Sequence, residues 1–307
     1  MKFKGIIRNA WPLLNILIRA YQKKPFAFSF NLADRCPNNC SCYWRAQNRI
    51  GEMSDAEVVN FFKQMKKSGY RHSTIIGGEP YLRSKLLPVI TSIMDANWVV
   101  TSGVLPLMNL PRTTHFISID GEDENTHDEV RQNHGLFRRV FKNIQQFKKV
   151  SNTPVYLHSV LNQINYQQIR GILSFWIGRK MVDGIIISTI TPINGIGSEL
   201  CLTANQKKWI VAELLKAKKE FGDFLCMTNS MILHLHPDNT TKLTPEKCGT
   251  AIYSPSFDAR GNKIAQCILS NKAKCSECGC IITAMMNAFS PRLKPRELTF
   301  LLKITTS

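Results

Sequence analysis

The chain has 307 residues, of which 44% are hydrophobic, so it can bury a full core and is not a disordered protein. Its ten cysteines are clustered along the chain, which favours metal ligation over disulfide pairing. The formal charge of +18 attracts anions at long range, but it does not choose among nucleic acid, anionic lipid, acidic peptides and phosphorylated small molecules.

Residues 1–26 form a basic amphipathic segment. Pro12 and Asn15 interrupt its longest apolar run, and basic residues follow where a cleavage site would need small ones. We therefore expect no signal peptide, no membrane span and a cytoplasmic protein with reduced thiols. The segment can lie on an anionic membrane surface, giving peripheral membrane contact, or it can cap the open barrel, which is the use we favour.

The first two predicted strands each lead into a distinctive loop. Residues 28–32 are predicted to form a strand, and a loop with three cysteines follows at once. A capping box that begins at Ser54 predicts a helix to about Lys67. Residues 73–76 form the second predicted strand, which leads into a Gly-Gly-Glu-Pro turn and then a helix over about residues 84–95.

Strands and helices continue to alternate through the middle of the chain. Further strands are predicted near residues 98–101, 115–120, 155–161 and 184–190, and helices near residues 136–150, 166–181 and 204–221. The crossover over residues 103–114 is short and holds two prolines, which predicts a weak helix or none. This alternation indicates an α/β fold, an open partial (β/α)6 barrel, because a closed eightfold barrel needs more units.

The alternation of strands and helices stops after about Gly222. We therefore expect the barrel to occupy residues 27–222, a small cysteine-rich extension to occupy residues 223–285, and a basic tail to follow over residues 286–307. In such sheets, ligands bind beyond the carboxyl ends of the strands. The cysteine loop, the Gly-Gly-Glu-Pro turn and Asp120 are all predicted to lie at such ends.

The loop after the first strand holds Cys36, Cys40 and Cys42. Three thiolates on a short loop can hold three irons of a four-iron, four-sulfur (4Fe-4S) cluster, because thiolate is the ligand that iron-sulfur chemistry selects. The fourth iron would keep an open position that can chelate a substrate or a cofactor. The alternatives are a zinc knuckle or three unbound thiols.

On these features the chain resembles the radical S-adenosylmethionine (SAM) superfamily over roughly residues 27–222. The resemblance rests on the cysteine loop with Tyr43 beside its last cysteine, on the Gly-Gly-Glu-Pro turn, and on residues 117–121 at strand four. It implies an oxidoreductase or maturase-type enzyme whose open iron binds SAM. A donor such as flavodoxin or ferredoxin would supply the electron that cleaves SAM to methionine and a 5'-deoxyadenosyl radical, which then takes hydrogen from the substrate.

The resemblance also implies roles for residues at two strand ends. Glycines let backbone approach the methionine end of SAM closely, and a carboxylate there can hold the turn or the amine. Two polar residues that alternate along strand four point to one face and can both reach a ribose, although a simple turn is the alternative at either place. The expected SAM-binding residues are Gly77, Gly78, Glu79, Ser118 and Asp120.

The cysteine spacing departs from the family pattern. The usual spacing is three residues and then two, whereas Ser41 alone separates Cys40 from Cys42, and Tyr43 occupies the usual third-cysteine position. The loop must close more tightly, or its third ligand is placed unusually. A degenerate scaffold that binds a cluster without cleaving SAM is therefore an alternative.

A second group of cysteines lies near the C-terminus and comprises Cys248, Cys267, Cys275, Cys278 and Cys280. Between the first two, residues 253–263 predict a turn between two short strands. This arrangement resembles the SPASM or twitch domains of radical SAM enzymes and implies one auxiliary 4Fe-4S cluster. Five residues rather than the usual four separate Gly261 from Cys267, and a structural zinc ion is the alternative.

The histidines carry no clear ligand pattern. His115, His127, His134 and His158 lack a paired histidine or carboxylate at ligand spacing and are interpreted as ordinary core or surface residues. His234 and His236 alternate along a possible strand, where a zinc site would be possible but unsupported.

Together these features favour a radical SAM enzyme with an auxiliary cluster. Neither its catalytic residues nor its substrate can be inferred from the sequence; peptide, small-molecule and lipid-linked substrates are open, and the auxiliary cluster slightly favours a peptide. A rival is a zinc-stabilised, basic nucleic-acid-binding protein. The absence of an RNA-binding signature, zinc finger or basic heptad region argues against nucleic acid as a partner.

Overall fold

The computed structural model describes residues 14–40, 50–194 and 197–287. One eight-stranded sheet runs through them, with the strand order β6-β5-β4-β3-β2-β1-β7-β8. The first six strands pair in parallel, and only β8 is antiparallel to its neighbour. The strands are β1 Ala27–Asn31, β2 His72–Ile76, β3 Ala96–Thr101, β4 Thr113–Ser118, β5 Val155–Leu161, β6 Gly184–Thr189, β7 Ser256–Phe257 and β8 Lys263–Ile264.

Helices connect the parallel strands and build the C-terminal region. They are α1 (residues 14–21), α2 Asp55–Lys67, α3 Leu87–Ile93, α4 Glu124–Arg131, α5 Leu136–Val150, α6 Ile169–Ile177, α7 Ala204–Phe221, α8 Asn229–His234, α9 Pro237–Thr240, α10 Gly249–Tyr253 and α11 Ile281–Asn287. Short 3-10 helices lie at Pro80–Arg83, Tyr166–Gln168, Ser198–Leu200, Gly222–Phe224, Pro245–Lys247, Ser270–Lys272 and Cys275–Glu277. The predicted α/β partial barrel of six parallel strands is confirmed.

Local sequence signals placed several elements correctly. The capping box at Ser54 is present, with its hydroxyl accepting from the Glu57 amide while the Glu57 side chain accepts from the Ser54 amide. A second capping box begins α7 at Thr203. Residues 103–112 contain no helix, as their two prolines predict.

Two local predictions were wrong, and one helix was not predicted. The helix predicted over residues 84–95 is shorter, because a 3-10 turn precedes α3 and Pro88 stands in its first turn. Helix α4 was missed because its exposed face is polar and only three of its residues are buried. The strand considered at His234 and His236 is instead the end of α8 and the N-cap of α9.

The core lies between the sheet and the helices outside it, while the opposite sheet face lines a cavity. Successive side chains of a strand point to opposite faces of the sheet, so alternate residues face the cavity and the residues between them face the core. Phe28 and Phe30 of β1 pack against Phe62 of α2, whereas Ser29 between them faces the cavity.

Helix α1 packs on the hydrophobic core. Ala20 is buried, Ile16 packs on the core, and the Arg19 Nε donates to the Pro25 carbonyl at 2.7 Å. Residues 1–13 of the basic segment, and with them three of its six basic side chains, lie outside the described residues, so its membrane contact stays a prediction. Within the described ranges, no helix combines the length and apolar character needed to cross a membrane.

The C-terminal region connects the two edges of the open barrel. The hairpin predicted between Cys248 and Cys267 is β7 and β8, and β7 pairs in parallel with β1 at one edge. After this hairpin the chain crosses the barrel mouth and reaches β6 at the other edge, where the Lys274 amide donates to the Pro192 carbonyl at 2.9 Å. This path places the C-terminal cysteines over the carboxyl ends of the strands.

Candidate functional site

A cavity of about 300 Å³ lies at the carboxyl ends of the parallel strands. Most of its walls are apolar, with Trp98, Phe116 and Ile186 among them. Both predicted cysteine groups line it, and Cys42 lies outside the described residues. The cysteines that face the cavity are Cys36, Cys40, Cys248, Cys267, Cys275, Cys278 and Cys280, together with Cys201.

The Gly-Gly-Glu-Pro turn packs directly on the backbone of the cysteine loop. The Gly78 amide donates to the Ala33 carbonyl at 2.7 Å, and the Glu79 amide donates to the Arg35 carbonyl at 2.8 Å. A Cβ atom on Gly78 would lie 1.9 Å from the Arg35 oxygen, and one on Gly77 would lie 2.6 Å from the Ala33 oxygen. Both glycines also line the cavity, so the close approach that requires them is to the loop that carries Cys36.

We expect Gly78→Ala to destabilise the protein by about 1–3 kcal/mol or more, because the new methyl group overlaps backbone that cannot rotate away. The loop must shift, so anaerobic iron binding should fall with the free energy of unfolding. The matched control is Gly178→Ala at the end of α6, where φ is −64° and the nearest neighbour would be 3.5 Å away. Urea unfolding and iron analysis of both variants test this, and an unchanged Gly78→Ala protein would contradict it.

Glu79 is completely buried, and four hydrogen bonds occupy its carboxylate. It accepts from Thr101 Oγ1 at 2.7 Å, from the Ser102 amide at 2.9 Å and hydroxyl at 2.5 Å, and from the Tyr81 amide at 3.2 Å. These bonds join the turn after β2 to the end of β3. Glu79 does not line the cavity. Its hydrogen bonds hold the turn, which is one of the two roles expected for it. Binding of the SAM amine stays a prediction.

Ser118 and Asp120 both line the cavity, as their alternation predicted. Ser118 ends β4, whereas Asp120 follows two residues beyond the strand and is 1% exposed. The Asp120 Oδ1 accepts from the Val160 amide at 2.7 Å, and its Oδ2 pairs with Arg131 Nη2 at 2.5 Å. Asp120 is therefore a fixed, paired carboxylate at the edge of the cavity.

Helix α4, which sequence reasoning missed, holds the cysteine loop from the side. Arg131 at its end points Nη1 at Cys40 Sγ, 3.8 Å away. Just beyond the helix, Asn133 Nδ2 donates to Asn38 Oδ1 at 2.6 Å. A sequence signal existed in Asp123, whose side chain caps α4 by accepting from the Thr126 amide, but the helix has too little apolar periodicity to be recognised.

Burial makes the thiols poor acids in the absence of metal. It raises the pKa of Cys36 to about 11 and those of Cys267 and Cys280 to about 12. These groups are therefore protonated at neutral pH, and a metal that binds them must displace their protons. All nine cysteines within the described residues are free of disulfides.

Two of the C-terminal thiols lie beside one hydroxyl. Thr283 Oγ1 lies 3.7 Å from Cys248 Sγ and 3.9 Å from Cys278 Sγ, and Thr191 Oγ1 donates to Cys278 Sγ at 3.9 Å. In the described part of the chain, no three cysteine sulfurs lie within 4.8 Å of one another. A tetrahedral zinc site would need its sulfurs about 3.8 Å apart, from a Zn–S bond of about 2.3 Å.

The end of β6 holds the C-terminal cysteine segment in place. The Thr189 amide donates to the Gly279 carbonyl at 2.9 Å, and the Gly279 amide donates to Thr191 Oγ1 at 3.0 Å. A Cβ on Gly279 would lie 2.1 Å from the Thr189 carbonyl oxygen, so only glycine fits between the two cysteines there. Lys207 of α7, buried and absent from the sequence predictions, donates Nζ to the Glu277 carbonyl at 3.0 Å.

Two histidines make contacts that the sequence did not predict. His158 lines the cavity, shares a hydrogen bond of 2.8 Å with Ser188 Oγ, and has its pKa lowered to about 4 by burial, so it is neutral at physiological pH. His134 does have nearby carboxylates, since Glu124 and Asp128 lie close enough to share an ion with it. Asp128 is buried and already accepts from the Gly135 and Phe137 amides, so its carboxylate holds the turn before α5.

Comparison with known proteins supports the fold. No protein-family model matches the chain. The AdoMet-dependent heme synthase of Methanosarcina barkeri is 24% identical over 163 residues, which are 49% of this chain and 46% of that protein. The match thus spans about half the length of this curated relative.

Two solved structures share the architecture. Streptococcus suis SuiB bound to precursor peptide SuiA superposes with a TM-score of 0.65 at 14% identity, covering 95% of this chain and 71% of SuiB. Native anSMEcpe with bound AdoMet superposes with a TM-score of 0.63 at 12% identity, covering 92% and 89% of the two chains. In the SAM-bound form of SuiB the match covers only 62% of that chain. These neighbours share the partial-barrel fold that the resemblance to the radical SAM superfamily led us to expect.

Proposed function

We propose that the chain is a radical SAM enzyme that cleaves SAM reductively. The observation that carries this proposal is a cavity, at the carboxyl ends of the parallel strands, that is lined by Cys36, Cys40, Gly77, Gly78 and Asp120. A thiolate loop, a glycine turn and a polar strand end are the parts such chemistry needs, and the sequence alone could not show that they share a chamber.

The residues present fit a cluster with an open iron. Cys40 is buried and Cys36 is half-buried, and both face the cavity. Cys42 would be the third ligand. When bound, the cluster would supply the electron that cleaves SAM. The chain would contribute the glycine backbone beside the loop, Ser118 and Asp120 towards the ribose, and apolar walls that keep water from a reactive radical.

An auxiliary cluster is a second part of the proposal. Cys248, Cys267, Cys275, Cys278 and Cys280 line the same cavity. Hydrogen bonds to the end of β6 hold this segment in the barrel mouth. A cluster there would lie across the cavity from the first, next to any substrate between them.

We propose a peptide as the substrate. SuiB has been solved with its precursor peptide and anSMEcpe with a Cp18Cys peptide, and both share this fold. The cavity has a mostly apolar lining, which suits an apolar side chain of a peptide. The electron donor, flavodoxin or ferredoxin, and the peripheral membrane contact remain predictions from the sequence.

The decisive experiment is a test for reductive SAM cleavage. Protein purified anaerobically should be brown, with about eight iron atoms per chain if both sites hold four-iron clusters. After reduction with dithionite, addition of SAM should yield 5'-deoxyadenosine. Colourless protein that contains zinc would instead support the zinc-stabilised nucleic-acid-binding alternative.

A degenerate radical SAM scaffold is the second candidate. The shortened Cys40-Ser41-Cys42 spacing favours it, because the third thiol must reach the cluster from one position earlier than usual. It predicts fully iron-loaded protein from which 5'-deoxyadenosine never forms. The same assay therefore separates the two candidates.

A further inference from the structure

Arg131 connects two predicted parts of the site that are distant in sequence. Its Nη1 points at Cys40 Sγ at 3.8 Å, and its Nη2 pairs with Asp120 Oδ2 at 2.5 Å. The Arg131 side chain is 12% exposed and that of Asp120 is 2% exposed, so water screens this pair weakly. Residues 40 and 131 are 91 positions apart, and no sequence motif marks the arginine.

The geometry gives Arg131 two electrostatic effects at Cys40. An N–H group directed at a thiolate sulfur stabilises negative charge on it, and reduction adds an electron to the cluster that this sulfur would hold. The guanidinium also neutralises the buried Asp120 carboxylate, whose charge would otherwise repel the added electron. Both effects favour the reduced state.

We propose that Arg131 is a positioning residue that raises the reduction potential of the cluster held by the Cys36 loop. The inference rests on the proposed function, because it requires a cluster at that loop. The Asp120 carboxylate has the opposite effect on the reduction potential, because its negative charge disfavours reduction of the cluster. Arg131 thereby links the end of β4 to the redox centre.

The test is a potentiometric titration of anaerobic holoprotein, followed by electron paramagnetic resonance without SAM. Arg131→Met should shift the midpoint potential of the N-terminal cluster to a more negative value, and Asp120→Asn should shift it to a more positive one. Arg131→Lys keeps the positive charge, so its midpoint potential should lie between those of Arg131→Met and the unmodified protein. The matched control is Arg138→Met, which removes an exposed arginine paired with Glu124 of α4 and should leave the potential unchanged.

An unchanged potential in Arg131→Met, or shifts of the same sign in Arg131→Met and Asp120→Asn, would overturn the inference. If Arg131→Met loses its iron, Arg131→Gln, which retains an N–H donor, and Arg131→Lys are compared instead. Iron loss from all three variants would show a packing role and would also overturn it. If the unmodified protein binds no cluster at the Cys36 loop, the proposed function itself fails, which the titration of that protein reveals first.

Discussion

Changing Cys36, Cys40 and Cys42 together to alanine should remove about half of the iron and all reductive SAM cleavage, because these thiols are the only proposed protein ligands of the first cluster. The remaining iron should belong to the C-terminal site, which lies on other elements. Iron analysis and the 5'-deoxyadenosine assay measure both effects.

Cys226→Ala is the matched control for this triple variant. Cys226 is 2% exposed, donates to the Asp223 carbonyl at 3.3 Å and does not line the cavity. Its loss should leave iron content and SAM cleavage unchanged. Retained 5'-deoxyadenosine formation in the triple variant would disprove the assignment of the N-terminal cluster.

Changing Cys275 and Cys278 to alanine should abolish turnover of the true substrate while the first cluster still assembles. The sequence predicts protease sensitivity over about residues 245–285. The structure limits the expected region to a shorter stretch. Helices α10 and α11 at its ends bury Tyr253 and Met285, whereas residues 265–280 have only short 3-10 turns. We therefore expect cleavage within residues 265–280, because metal binding supplies much of their folding free energy.

Ser276→Ala, an exposed change between the same two cysteines, is the control and should behave like the unmodified protein. SAM cleavage without substrate should persist in the double variant, since the proposed cofactor residues lie at the ends of β2 and β4 or just beyond them. Full iron content together with parental protease resistance would show that these cysteines are not cluster ligands. Recovery of one zinc with about four irons would identify a structural zinc ion.

The sequence by itself determined the elements that local interactions control. Capping boxes at Ser54 and Thr203 positioned two helices, because their hydrogen bonds lie within four residues. Apolar runs located all six parallel strands, and the prolines of residues 103–114 predicted a crossover without a helix. The two cysteine groups were also evident from spacing alone.

The sequence also identified residues of the candidate site, but it did not predict how they are arranged. It predicted that Gly77, Gly78 and Asp120 would stand at strand ends, and the structure places all three on the cavity. It could not give their contacts. The close neighbour that excludes side chains from the two glycines is backbone of the cysteine loop, more than 40 residues earlier in the chain.

Only the tertiary structure decided which distant groups meet. Parallel strands bring their carboxyl ends to the same edge of the sheet, so loops far apart in sequence share one cavity. Arg131 reaches Cys40 and Asp120 because α4 packs beside the cysteine loop, and Lys207 reaches the C-terminal cysteine segment because α7 passes behind it. Such contacts depend on the angles at which elements pack and on the lengths of the side chains between them. The hydrophobic periodicity of a single segment therefore does not predict them.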